Sequence, residues 1–84
     1  MNALFKKKIL HRAKYRGIKE LDIIFDRFTK KYSKLITYEE LVELEQILEL
    51  PDQTLLNMIL GKEKIPANLK NRTLENLISI SYEW

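Results

Sequence analysis

Residues 18–32 read IKELDIIFDRFTKKY, and this stretch decides the fold. Its apolar residues recur three or four positions apart, which is the spacing of one face of an α-helix. The stripe consists of Ile18, Leu21, Phe25, Phe28 and Tyr32. We therefore predict an amphipathic helix over residues 18–32 whose apolar face packs into a helical core.

Start and stop signals on either side of this stretch predict neighbouring helices. A first helix is expected over about residues 3–15, with Asn2 as its N-cap and Gly17 as a left-handed terminator after it. The sequence Thr37-Tyr-Glu-Glu is a capping box, in which Thr37 and Glu40 each satisfy a free backbone amide at the start of a third helix.

The C-terminal half carries the signals for two more helices. Pro51 is expected to end the third helix and Asp52 to cap a short fourth one, which stops at Gly61. Pro66 is expected in the first turn of a fifth helix. Because no stretch alternates between apolar and polar residues as a strand would, we predict an all-α protein, a compact five-helix bundle with residues 1–84 as a single domain.

Composition argues against most catalytic chemistries. The 84 residues include no cysteine, which excludes disulfides, thiol nucleophiles and thiolate metal sites. The only histidine, His11, lies among lysines and arginines that would repel a cation, so we expect no metal site. Two distant glycines cannot form a phosphate-cradling loop. We therefore expect no catalytic residues and no enzymatic activity from this chain.

Charge is distributed unevenly along the chain. Residues 1–34 hold eleven Lys/Arg and three Asp/Glu, a net charge of +8, whereas residues 35–84 hold four and nine, a net charge of −5. Such a basic pole attracts nucleic acid, an acidic membrane surface or an acidic patch on another protein, and charge alone does not choose among them. No apolar run approaches the roughly 20 residues needed for membrane insertion.

Two blocks of sequence carry a family resemblance. The motif Arg-Gly-x-x-Glu occurs as Arg16, Gly17 and Glu20, followed by Leu21 and Asp22. The run KKKILHRAKYRGIKELDIIFDRF that contains it resembles the N-terminal half of the succinate dehydrogenase assembly factors. A second block, ILELPDQTLLNMILGKEKIP, resembles the segment around the fourth helix of that family.

The resemblance implies a small assembly factor, or chaperone, that promotes covalent attachment of FAD to the flavoprotein subunit of succinate dehydrogenase, and in some bacteria of fumarate reductase. FAD then belongs to this client, and the chain binds no cofactor stably. The implied partner-binding residues are Arg16, Gly17 and Glu20, with His11 and Arg12 beside them on the basic helix. Arg16 would offer a planar fork to the client, and Glu20 would hold that guanidinium or contact the client itself.

Some features lie outside the family pattern or leave alternatives open. Lys14 stands where the family often has an aromatic residue, and Met58 stands where it usually has a tryptophan, so a client contact made by that tryptophan would be weaker or replaced here. The alternative function is a small basic nucleic-acid-binding domain. We expect a monomer, because no apolar stripe is left over. Bacterial cytoplasm is favoured over the mitochondrial matrix, because no cleavable leader precedes the first helix.

Overall fold

The computed structural model describes residues 3–14 and 16–82, and this part of the chain forms five α-helices and no strand. The predicted all-α, five-helix architecture is confirmed. None of the described helices is both long enough and apolar enough to cross a membrane. The helices are α1 (Ala3–Lys14), α2 (Lys19–Tyr32), α3 (Tyr38–Leu48), α4 (Asp52–Ile59) and α5 (Arg72–Ser81), with one 3-10 turn (Ala67–Leu69) before α5.

The predicted stripe on α2 lies at the centre of the core. Leu21, Phe25 and Phe28 are buried, and Ile18 and Tyr32 pack at its edge, which confirms the helical period. The other helices contribute aliphatic side chains to the same cluster. These are Ile9 and Ala13 from α1, Leu41, Leu44, Ile47 and Leu48 from α3, Leu55, Leu56, Met58 and Ile59 from α4, and Leu74, Leu77 and Ile80 from α5.

Two predicted helix ends form as expected. The Glu40 backbone N–H donates to Thr37 Oγ1 and the Thr37 N–H donates to Glu40 Oε1, both at 3.1 Å, so the capping box that opens α3 is confirmed. At the end of α4, Gly61 adopts a φ of +78°, which a side chain would disfavour. The Lys62 N–H then reaches back to the Asn57 carbonyl at 2.8 Å, as in a Schellman motif.

Other predicted ends differ. Asn2 lies outside the described residues. The left-handed role of Gly17 is wrong, because Gly61 is the residue with positive φ in residues 3–14 and 16–82. Pro66 does not open α5. It precedes the 3-10 turn, and the extended backbone that follows this turn delays α5 until after Asn71.

Asn71 is the N-cap of α5, and its side-chain oxygen accepts from the Leu74 backbone N–H at 2.9 Å. We expect Asn71→Ala to lower the free energy of unfolding by about 1 kcal/mol, because that amide loses its partner. Asn68→Ala, the same change at an exposed position of the 3-10 turn, should stay within about 0.5 kcal/mol of wild type. Urea unfolding followed by circular dichroism compares the two, and equal losses would contradict the capping role.

Candidate functional site

We call residues 16–20 the corner, which comprises the turn before α2 and the first two residues of that helix. Two carboxylates hold its backbone amides. The Arg16 N–H donates to Asp22 Oδ1 and the Gly17 N–H donates to Asp52 Oδ2, each at 2.8 Å. Because amides outside a helix have no helical acceptor, these two bonds set the path of the chain into α2.

The Arg16 side chain is turned inward, with only 13% of its surface exposed. Its Nε and Nη2 atoms lie 2.9 and 2.7 Å from Asp52 Oδ1. Nη2 also donates to the backbone carbonyl of Leu48 at 3.2 Å and to that of Leu50 at 3.5 Å. The last turn of α3 has no basic residue of its own, so the guanidinium supplies the cation that the negative end of this helix favours.

Two expectations about this network are wrong. Asp52 is the first residue of α4 rather than its cap, and the N-cap residue is Pro51. The Asp52 carboxylate is instead bound by Arg16 and Gly17. Glu20 does not hold the Arg16 guanidinium, because α2 begins only after Arg16, so their four-residue spacing is not helical spacing.

The pKa of the Asp52 carboxyl lies below its ordinary value of 3.8. The main cause is the hydrogen bond from the Gly17 N–H, which stabilises the ionised form, and partial burial opposes it. The hydrogen bond and the positive charge of Arg16 lower the pKa further. The corner is therefore built around a carboxylate that stays ionised at neutral pH.

This lowered pKa predicts a pH-dependent contribution to stability. The folded chain holds the Asp52 proton less tightly than the unfolded chain, so the stabilisation is complete above the unfolded pKa and is lost as pH falls through the folded pKa. We expect Asp52→Asn to be less stable than wild type at pH 7 and the difference to shrink below about pH 4. Urea unfolding at several pH values measures this. A difference that does not change with pH would contradict the ion pair.

The remaining predicted residues lie at the surface. Gly17 and Glu20 are exposed at the corner, while His11 and Arg12 are exposed on α1. Arg12 Nη2 makes an ion pair with Glu49 Oε1 at 3.1 Å, which links α1 to the end of α3. The structure thus brings Arg16 and Gly17 together at one site and leaves Glu20 beside it. Contact of these residues with a partner stays a prediction.

Sequence reasoning missed two members of the site. By sequence Asp22 is only a member of the motif region, and Asp52 fits the pattern of a helix cap. Asp52 lies 36 residues after Arg16, and no periodic or capping pattern connects positions so far apart. The sequence does contain one indirect signal for a role of Asp52 at the site, because this residue lies in the second block that resembles the family.

Comparison with known proteins decides the family. Residues 7–80 match the family model Sdh5, described as "Flavinator of succinate dehydrogenase". The chain belongs to this family. The match spans both the corner and the start of α4, and it favours the predicted assembly role over nucleic-acid binding.

Proteins similar to this chain include bacterial and mitochondrial assembly factors. FAD assembly factor SdhE of Acetobacter pasteurianus is 30% identical over 76 residues, which cover 90% of this chain and 70% of the relative. FAD assembly factor SdhE of Ralstonia nicotianae is 29% identical over 65 residues, or 77% of this chain and 68% of the relative. The mitochondrial succinate dehydrogenase assembly factor 2 of Dictyostelium discoideum is 29% identical over 70 residues, which cover 83% of this chain and 50% of the relative. No solved structure matches.

Proposed function

We propose that this chain docks on the flavoprotein subunit of succinate dehydrogenase and promotes covalent attachment of FAD to it. The family match over residues 7–80 is the observation that carries the proposal. In this proposal the chain is not an enzyme and does not bind FAD stably. The reacting groups belong to the client and its flavin, and the chain contributes by holding the client in a reactive geometry.

The corner supplies the contact surface. Gly17 is exposed and has no side chain, so a client backbone can approach closely. The Glu20 side chain is exposed and makes no hydrogen bond or ion pair with the described residues, so its carboxylate is available to a client cation or amide. His11 and Arg12 extend the surface along α1, and Arg16 supports it from inside.

Co-expression with a succinate dehydrogenase flavoprotein subunit tests the proposal, in cells that lack their own factor. Flavin fluorescence of the denatured subunit in a gel reports covalent attachment. We expect wild type to raise this fluorescence well above the empty vector and Arg16→Ala/Glu20→Ala to lower it. The control Glu63→Ala, at an exposed position between α4 and the 3-10 turn, should match wild type.

The possible outcomes separate function from site. Fluorescence no higher with wild type than with empty vector would contradict the function. Equal fluorescence with wild type and the double variant would agree with the function but contradict the assignment of Arg16 and Glu20 to the contact surface.

In the same proposal the chain acts as a monomer in the bacterial cytoplasm, and fumarate reductase is a second client. Light scattering of the purified chain and the same gel assay with a fumarate reductase flavoprotein test these two points.

A further inference from the structure

We propose that Asp52 is a positioning residue for flavin attachment, and that it acts through Arg16 and Gly17. This inference rests on the proposed function and extends it, because Asp52 lies outside the Arg-Gly-x-x-Glu motif. The carboxylate of Asp52 is the point at which the first two residues of the motif meet. The motif is thus completed by a residue from the start of α4.

The two oxygens of this carboxylate have separate partners. Oδ2 accepts from the Gly17 N–H at 2.8 Å, and Oδ1 contacts Nε and Nη2 of Arg16 at 2.9 and 2.7 Å. The Asp52 side chain is 28% exposed, so the pair is partly shielded from water. Charged pairs that combine several hydrogen bonds with partial burial are more strongly coupled than single contacts between exposed side chains.

Loss of Asp52 would release the corner. The backbone N–H groups of Arg16 and Gly17 precede α2 and donate to side-chain carboxylates rather than to helical carbonyls, and glycine is the most flexible residue in an unanchored backbone. Asp22 would still hold the Arg16 amide, but the Gly17 amide and the Arg16 guanidinium would lose their carboxylate. A client would then have to order the corner on binding, which weakens the complex.

A double-mutant cycle separates this role from direct contact of Arg16 with the client. Binding of the purified flavoprotein subunit is measured for Arg16→Gln, for Asp52→Asn and for the double variant. Each single variant should weaken binding about tenfold, as expected for loss of a charged hydrogen-bonded partner. The double variant should be little weaker than either single one. Binding weakened by about a hundredfold in the double variant would show that Arg16 and Asp52 act independently, which would overturn the proposal. An Asp52→Asn variant that binds the client as tightly as wild type would overturn it as well.

A second measurement needs no client. Hydrogen exchange of the Gly17 amide should accelerate at least about tenfold in Asp52→Asn, and by a larger factor than exchange of the core amides of α5, which follows only the loss of global stability. Unchanged Gly17 exchange would overturn the proposal even if the chain proved not to be a flavinylation factor. The matched control is Asp26→Asn, which removes an exposed ion pair with Lys30 at 2.9 Å and should leave both the binding and the Gly17 exchange unchanged.

Discussion

Gly17→Arg should abolish covalent flavin attachment in the co-expression assay. Gly17 is exposed at the proposed contact surface, and a Cβ added there would already lie 3.3 Å from Asp52 Oδ2. A long side chain would occupy the space that a client backbone needs, and its new positive charge would compete with Arg16 for the same carboxylate. We expect client binding to weaken at least about a hundredfold, which leaves fluorescence near the level of the empty vector.

Two variants show whether this loss comes from the corner. Ser79→Arg adds the same side chain at an exposed position of α5 and should retain wild-type fluorescence. Gly17→Ala should have an intermediate effect, because the Asp52 carboxylate must move by only a few tenths of an ångström. Full activity of a folded Gly17→Arg variant would show that the client does not approach this corner.

Phe25→Ala should have the greatest effect on stability. Phe25 is fully buried at the centre of the α2 stripe, and its removal leaves a cavity as well as losing apolar burial. The expected loss is about 3–5 kcal/mol, a large part of the total stability of a small domain. For a domain of this length the melting temperature should fall by roughly 12 °C or more.

Leu35→Ala is the matched control for this substitution. Leu35 is 78% exposed, so its truncation removes little buried surface and should change stability by no more than about 0.5 kcal/mol. Thermal and urea unfolding of both variants measure the contrast. Similar losses at the two positions would mean that the core is not where the α2 stripe places it.

These elements differ in how far the sequence could predict them. The burial of Leu21, Phe25 and Phe28 follows from a spacing that any helix imposes on its own neighbours. The capping box at Thr37 and Glu40 likewise depends on residues three positions apart. Such features can be predicted because the residues that determine them lie about one helical turn apart in the sequence.

The network around Asp52 could not be predicted in this way. The residue after Pro51 fits the pattern of a helix cap, and no residue close to it in sequence is expected to bind its carboxylate instead. In the folded chain the Arg16 guanidinium and the Gly17 N–H reach the same carboxylate, and an ion pair that includes hydrogen bonds is stronger than a hydrogen bond from a helix amide alone. The competing partner is visible only when helices far apart in sequence have packed together.

The distance along the chain between the two halves of this network has a consequence for synthesis. The contacts of Arg16 and Gly17 require Leu48, Leu50 and Asp52, so the corner cannot take its final shape while only the first two helices have left the ribosome. A truncated product that ends before residue 52 would carry the whole Arg-Gly-x-x-Glu signature yet lack its anchor. In the proposed function, an enzyme subunit is therefore recognised only by chains whose translation has passed the start of α4.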